Sequence, residues 1–170
     1  MYLVNTRPDI CYAINQMSQA MANPTKLIWK AGKHVLRYLR GTSEYGLWYI
    51  WIEGVKLQGF MDSDWVGNPS DRKSTSGGIF SIGLTTVSWY SRKQQSVALS
   101  SVEVEYMATS QAVCEAIWMR KILVGLFGSQ MDLTTIHCDK QSCIKLSVNP
   151  VFHYRSKHID IWYRHLRYCV

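Results

Sequence analysis

The sequence predicts an α/β fold, a mixed sheet with helices on its faces, and three observations carry that expectation. Between residues 47 and 91, short runs of β-branched and aromatic residues alternate with Gly/Ser/Thr-rich stretches, as consecutive strands do. From Ser101 to about Phe127 the pattern becomes that of one long helix. A single strand-like run, Leu133–Cys138, returns after that helix. Strands first, then helices with one returning strand, describe a mixed sheet. The chain has 170 residues, and its 47% hydrophobic and 18% charged content supplies a packed core and excludes wholesale disorder.

The elements follow in order. Thr6, Pro8 and Asp9 form a helix start, and Ile10, Ile14, Met17 and Met21 give that helix an apolar face. Asn23-Pro24-Thr25 breaks it and caps a second helix, which runs to about Arg40 and is ended by Gly41. Strands are expected at Leu47–Ile52, Val55–Met61, Gly78–Ile82 and Thr86–Ser91, separated by Glu53-Gly54, by the stretch from Gly67 to Gly77, and by Gly83. After Leu133–Cys138 a short helix starts at Gln141 and another near Asp160.

Several function classes drop out early. The longest uninterrupted apolar run, Leu47–Ile52, is far shorter than the ~20 residues a bilayer-spanning helix needs, so no membrane partner is expected. Nothing at the N-terminus reads as a signal peptide. Cys11, Cys114, Cys138, Cys143 and Cys169 are scattered without a C-x-x-C pair, which argues for reduced thiols in an intracellular protein. The stretch from Gly67 to Ser74 approaches a phosphate-binding P-loop, but Arg72 replaces its second glycine and a strand follows where a helix is required.

Charge is unevenly spread. The net +7 divides into +4 over residues 1–61, −2 over 62–139 and +5 over 140–170. Lys26, Lys30, Lys33, Arg37 and Arg40 recur at spacings of 4, 3, 4 and 3, which places them on one stripe of the second helix. Such a stripe is either a solvated face or a rail for phosphates. Arg155, Lys157 and His158 make a second basic group, poorly suited to a cationic metal and better suited to phosphate.

The acidic middle carries the chemical argument. Asp62 ends one predicted strand and Asp139 ends another, and the carboxyl ends of neighbouring strands are where ligand sites assemble in such sheets. On the long helix, Ser100-x-x-Glu103 has the form of a capping box, which gives Glu103 a structural task. Glu105 shares its face with Ala108, Ala112 and Ala116, small residues that let a helix lie close on a sheet. Glu105 is therefore expected to point inward and Glu103 outward. Asp62, Glu105 and Asp139 together would suit a hard divalent cation. Three unrelated surface or capping acids are the plainer alternative.

These residues sit in longer motifs. They include F-M-D-S-D-W-V-G from Phe60, D-R-K-S-T-S-G-G from Asp71, V-S-W-Y-S-R-K-Q from Val87 and A-L-S-S-V-E-V-E-Y-M-A from Ala98. H-C-D-K-Q-S from His137 and N-P-V-F-H-Y-R-S-K-H-I-D-I from Asn149 follow in order. Together they resemble the ribonuclease H domain of copia-type retrotransposon Pol polyproteins. The upstream stretch from N-T-R-P-D-I at Asn5 to V-L-R-Y-L-R-G-T at Val35 is similar to the segment that follows the reverse transcriptase palm.

The resemblance implies an RNase H-like unit over residues 46–170, preceded by two helices, a remnant of the reverse transcriptase thumb or connection, over 1–45. It implies cleavage of the RNA strand of an RNA/DNA hybrid with Mg²⁺, or Mn²⁺ in its place. Asp62, Glu105 and Asp139 fall on its catalytic carboxylates, with Asp64 a less certain neighbour. The rest of the Pol polyprotein would be a partner, and a cytoplasmic particle or the nucleus the location. The family's last strand and helix, with a fourth aspartate, have no counterpart after Asp139, where only Asp160 remains, at a helix start. A truncated unit that cleaves hybrids poorly or not at all is therefore expected. Its rival is an inactive nucleic-acid-binding or structural module. An integrase-type nuclease would need a late glutamate, and none follows Glu115.

Overall fold

The computed structural model describes residues 2–50, 54, 56–64, 71–128, 131–141 and 144. Arg155, Lys157, His158 and the helix expected near Asp160 lie outside them. Two 3-10 turns, Leu3–Asn5 and Pro8–Ile10, lead into α1 (Cys11–Gln19) and α2 (Lys26–Gly41). Three strands follow, β1 (Leu57–Ser63), β2 (Thr75–Ile82) and β3 (Thr85–Lys93). The long helix α3 (Ser101–Phe127) then leads back to β4 (Thr135–His137). The sheet order is β3-β2-β1-β4, antiparallel except for the parallel β1–β4 pair. This is the mixed α/β sheet expected from the sequence.

Local chemistry explains most boundaries. Thr25 caps α2 by accepting from the Ile28 N–H at 3.3 Å. Ser100 accepts from the Glu103 N–H at 3.3 Å, while the Glu103 carboxylate accepts from the Leu99 N–H at 2.7 Å. This reciprocal arrangement fixes the start of α3. At its other end Gly128 adopts φ 64° and donates to the Val124 carbonyl at 2.8 Å, a left-handed cap that a residue with a Cβ resists. Between Ile82 and Thr85 the turn needs positive φ at its first central residue alone, which Gly83 supplies at φ 60°.

Four expectations are corrected. Of the strand expected at Leu47–Ile52, Trp51 and Ile52 lie outside the described residues, and residues 47–50 form none, with Trp48, Tyr49 and Ile50 all exposed. They are tied to β3 by the Thr85 hydroxyl donating to the Trp48 carbonyl and the Tyr49 hydroxyl donating to the Thr86 carbonyl. Aromatic and β-branched residues favour strands because they pack on a half-buried pleat, and Trp48, Tyr49 and Ile50 have no such cover. Met21 lies beyond the end of α1 and is 72% exposed. Glu103 does not face outward but is buried at 6% exposure, because its capping bond folds it back against the preceding loop. The last strand is shorter than expected, with Leu133 exposed ahead of it.

The core sits between the sheet and α3. Leu57, Met61, Phe80 and Tyr90 from the strands meet Ala108, Ala112, Ala116, Met119 and Leu123 from the helix. Tyr106, Val104, Met107, Val113 and Ala98 form a second cluster beside it. On the N-terminal side, Asn15 donates to Ser91 and the Trp89 indole donates to the Val4 carbonyl, so α1 is fastened to β3.

A polar knot joins the chain start to the end of α2. Arg7 donates to both carboxylate oxygens of Asp9, at 3.0 and 2.7 Å, and to the Thr42 carbonyl. Tyr38 donates to Asp9 at 2.7 Å. The Arg7 bond, foremost, holds the Asp9 carboxyl down to about 2 from an ordinary 3.8. A carboxyl depressed on folding stabilises the native state above its ordinary pKa, and that contribution fades as pH falls from about 4 through about 2. Asp9→Asn is therefore expected to melt below the parent chain at pH 7, with the gap closing near pH 2. Thermal melts across that range would show it, and a gap independent of pH would remove the carboxylate as its cause.

Candidate metal centre

The parallel pairing of β1 and β4 sets the site. Gln58 faces Thr135, Gly59 faces Ile136 and Phe60 faces His137. The Phe60 and His137 rings stack at 4.6 Å. Asp62 and Asp139 each follow that stacked pair by two residues, so both carboxylates stand at the same end of the sheet. Over this end α3 crosses, held close by the buried Ala108 and Ala112, and one turn before them comes Glu105, fully buried.

Glu105 and Asp139 come together. Their oxygens and the Cys138 sulfur all lie within 4.8 Å of one another. The Lys140 ammonium donates to Glu105 Oε1 at 2.7 Å. Glu105 Oε2 is buried and has no hydrogen-bond partner among the described residues. The Lys140 pKa is raised, first by its hydrogen bond to Glu105 and then by the charges of Glu105, Asp139 and Asp62, with burial opposing. The field of all three acids therefore converges on one ammonium group.

Asp62 stands outside the close group. It is exposed and shares a face of β1 with Phe60, opposite the buried Met61 and Ser63. Its Oδ1 accepts from the Ser63 N–H at 2.7 Å. Asp64 is occupied structurally, accepting from the Thr75 N–H and pinning the start of β2. Asp62 and Asp64 also line a cleft of about 470 Å³ between α1 and the strands, together with Tyr12, Phe60, Ile79 and Trp89.

The donor set fits a hard divalent cation. Two carboxylates converge and one oxygen of the buried glutamate lacks a partner among the described residues, while Cys138 brings a softer sulfur to the same group and Asp62 stands outside it. Cys138 and Lys140 belong to the H-C-D-K-Q-S motif, but the sequence gives neither of them a place in the site. Their only signal was adjacency to Asp139, and nothing local says that residue 140 reaches back to residue 105.

The cation stripe is where the helical spacing put it. Lys26, Lys30, Lys33, Arg37 and Arg40 are exposed on α2, with the Lys33 ammonium 5.4 Å from the centre of the Trp29 ring. α2 packs on α1 and α1 on β3, the sheet edge opposite β4.

Comparison with known proteins places this arrangement in context. The chain is 40% identical over 165 residues to the retrovirus-related Pol polyprotein from transposon TNT 1-94 of Nicotiana tabacum, covering 97% of this chain and 12% of that protein. It is 40% identical over 166 residues to the corresponding polyprotein from transposon RE2 of Arabidopsis thaliana, covering 98% of this chain and 11% of that one. It is also 48% identical over 120 residues to secreted RxLR effector protein 161 of Plasmopara viticola, covering 70% of this chain and 84% of that protein. No family model matches, and no solved structure matches.

Proposed function

We propose that this chain is a segment of a copia-type retrotransposon Pol polyprotein and acts as its ribonuclease H unit, cutting the RNA strand of an RNA/DNA hybrid; the 40% identity to Pol polyproteins over nearly the whole chain supports this reading. The supporting observation is the buried Glu105 brought against Asp139 at the strand end that also bears Asp62. Glu105 and Asp139 would hold Mg²⁺, or Mn²⁺ in its place, with Asp62 reaching the same ion or a second one. A divalent ion there supplies Lewis-acid stabilisation of the charge that develops on phosphodiester oxygens.

The chain's own residues do the rest. Glu105 is held on a rigid helix and cannot turn to solvent, so its oxygens stay aimed at the strand ends. Asp139 and Asp62 are exposed, which leaves both open to a backbone phosphate. Residues 1–45 form the segment following the polymerase region, and its α2 stripe holds phosphates of the same substrate. The remainder of the polyprotein is its covalent partner. Among the described residues no helix is long and apolar enough to cross a membrane. We place the protein in a cytoplasmic particle or the nucleus.

The test is an end-labelled hybrid incubated with the chain and Mg²⁺, beside double-stranded RNA and double-stranded DNA of the same sequence. Cleavage confined to the RNA strand of the hybrid, and abolished by chelation, is expected. Equal cutting of all three duplexes would sink the reading, and no cutting of any would favour the inactive nucleic-acid-binding module in its place.

Binding should also depend on salt. Reversing the charge of Lys30, Lys33 and Arg37 removes up to three phosphate contacts, so the slope of log affinity against log salt should fall by about 2–3. Fluorescence anisotropy with a labelled hybrid measures it. An unchanged slope would return α2 to the role of a solvated face.

A further inference from the structure

We infer that Lys140 is a built-in counter-ion of the carboxylate centre, seated on Glu105 until a divalent cation displaces it. The inference rests on the reading of that centre as a divalent-ion site. Its starting point is the burial of Glu105, which has no exposed surface at all. A carboxylate in that position must be protonated, paired or bound to a cation. Lys140 pairs with it at 2.7 Å, using one of its two oxygens.

The two partners are unequal in freedom. The Lys140 side chain is 36% exposed while that of Glu105 is 0% exposed. A lysine has a long flexible stem and a strongly hydrated head, so it can swing into water without unfolding anything. Glu105 cannot follow it. The pair therefore opens from one side only, leaving the acid behind for another cation.

Charge makes the two occupants compete. A divalent ion within reach of Glu105 and Asp139 would stand a few ångströms from the ammonium, and like charges at that distance repel strongly away from bulk water. One cation holds the centre at a time. Without metal, Lys140 keeps the buried acid compatible with the fold. With metal, Lys140 is released to the surface beside Asp139, free to meet a substrate phosphate. If the pair is closed in about nine molecules of ten, apparent metal affinity falls about tenfold relative to the same site without the lysine.

The experiment uses the whole chain and Mn²⁺, whose free form is counted by electron paramagnetic resonance. The parent chain is compared with Lys140→Gln, Lys140→Met and Glu105→Gln. Both Lys140 variants should bind Mn²⁺ about tenfold more tightly than the parent. They should also melt earlier in chelator and regain more on adding Mn²⁺. In the parent chain, acylation of Lys140 by acetic anhydride, read by peptide mass spectrometry, should rise as Mn²⁺ saturates the site.

Equal Mn²⁺ affinity in the parent and Lys140→Gln, with binding still lost in Glu105→Gln, overturns the counter-ion role and leaves the divalent site standing. Binding that ignores Glu105→Gln, or is absent from parent and Lys140 variants alike, overturns the divalent site and the counter-ion with it. Should neither Lys140 variant fold, the labelling of the unaltered chain decides: acylation that does not rise at saturating Mn²⁺ refutes displacement.

Discussion

Glu105→Gln is expected to reduce Mg²⁺-dependent cleavage of a hybrid at least ~100-fold while preserving the fold, the scale seen when one preorganised electrostatic group is removed from an active site. Glutamine matches glutamate in shape, so the space between α3 and the strand ends stays filled. It removes the charge a divalent ion needs, and it does so at a fully buried position where water cannot substitute. Lys140, partly exposed, can keep a hydrogen bond to the amide oxygen or turn to solvent. Near-parental circular dichroism and melting, with cleavage lost, would separate chemistry from stability. Full cleavage by Glu105→Gln would show that the buried glutamate is no part of the reaction.

The largest stability effect should come from the contact between β1 and β2 beneath α3. Phe80 is completely buried against Leu57, Met61, Tyr90, Ala108 and Ala112. Phe80→Ala empties that space and is expected to cost about 3–5 kcal/mol. Its cross-strand neighbour is Gly59, where an added Cβ would lie 2.6 Å from Phe80 Cε1. Neither the strand nor a ring packed under α3 can move freely, so Gly59→Ala should cost about 1–3 kcal/mol by overpacking. The two effects share one space and should not add. In Gly59→Ala with Phe80→Leu, the smaller side chain accommodates the new methyl, and urea denaturation should show less loss than the sum of the single variants. Strict additivity would mean that the two side chains do not compete for that volume.

Elements set by local chemistry were legible from the residues. The Ser100-x-x-Glu103 box and the Phe127 end place α3 where it is found, and the break at Asn23-Pro24-Thr25 places α2. Helical phase also put Glu105 on the face with Ala108, Ala112 and Ala116, all of which are buried. Phase alone misjudged Glu103, because a capping side chain curls back on its own backbone instead of following its radial direction. It misjudged residues 47–50 as well. Strand composition is necessary for a ladder, but a strand exists only where a partner lends its edge, and among the described residues these are tied to β3 by side-chain bonds alone.

The acids were recognisable from the sequence because strand ends and helix faces are local properties, and so were the family motifs that contain them. Their grouping was another matter. Glu105 and Lys140 are 35 residues apart, and they meet only because β4 returns parallel to β1 beneath α3. That crossover brings Glu105, Cys138 and Asp139 within one ligand's reach while the alternation of β1 turns Asp62 to the exposed face. Residue types and their periodicities therefore determined which groups this protein offers for chemistry. Which of them share a site, and that a lysine sits among them, was decided by long-range pairing, since only the packed chain brings such distant residues into one electrostatic field.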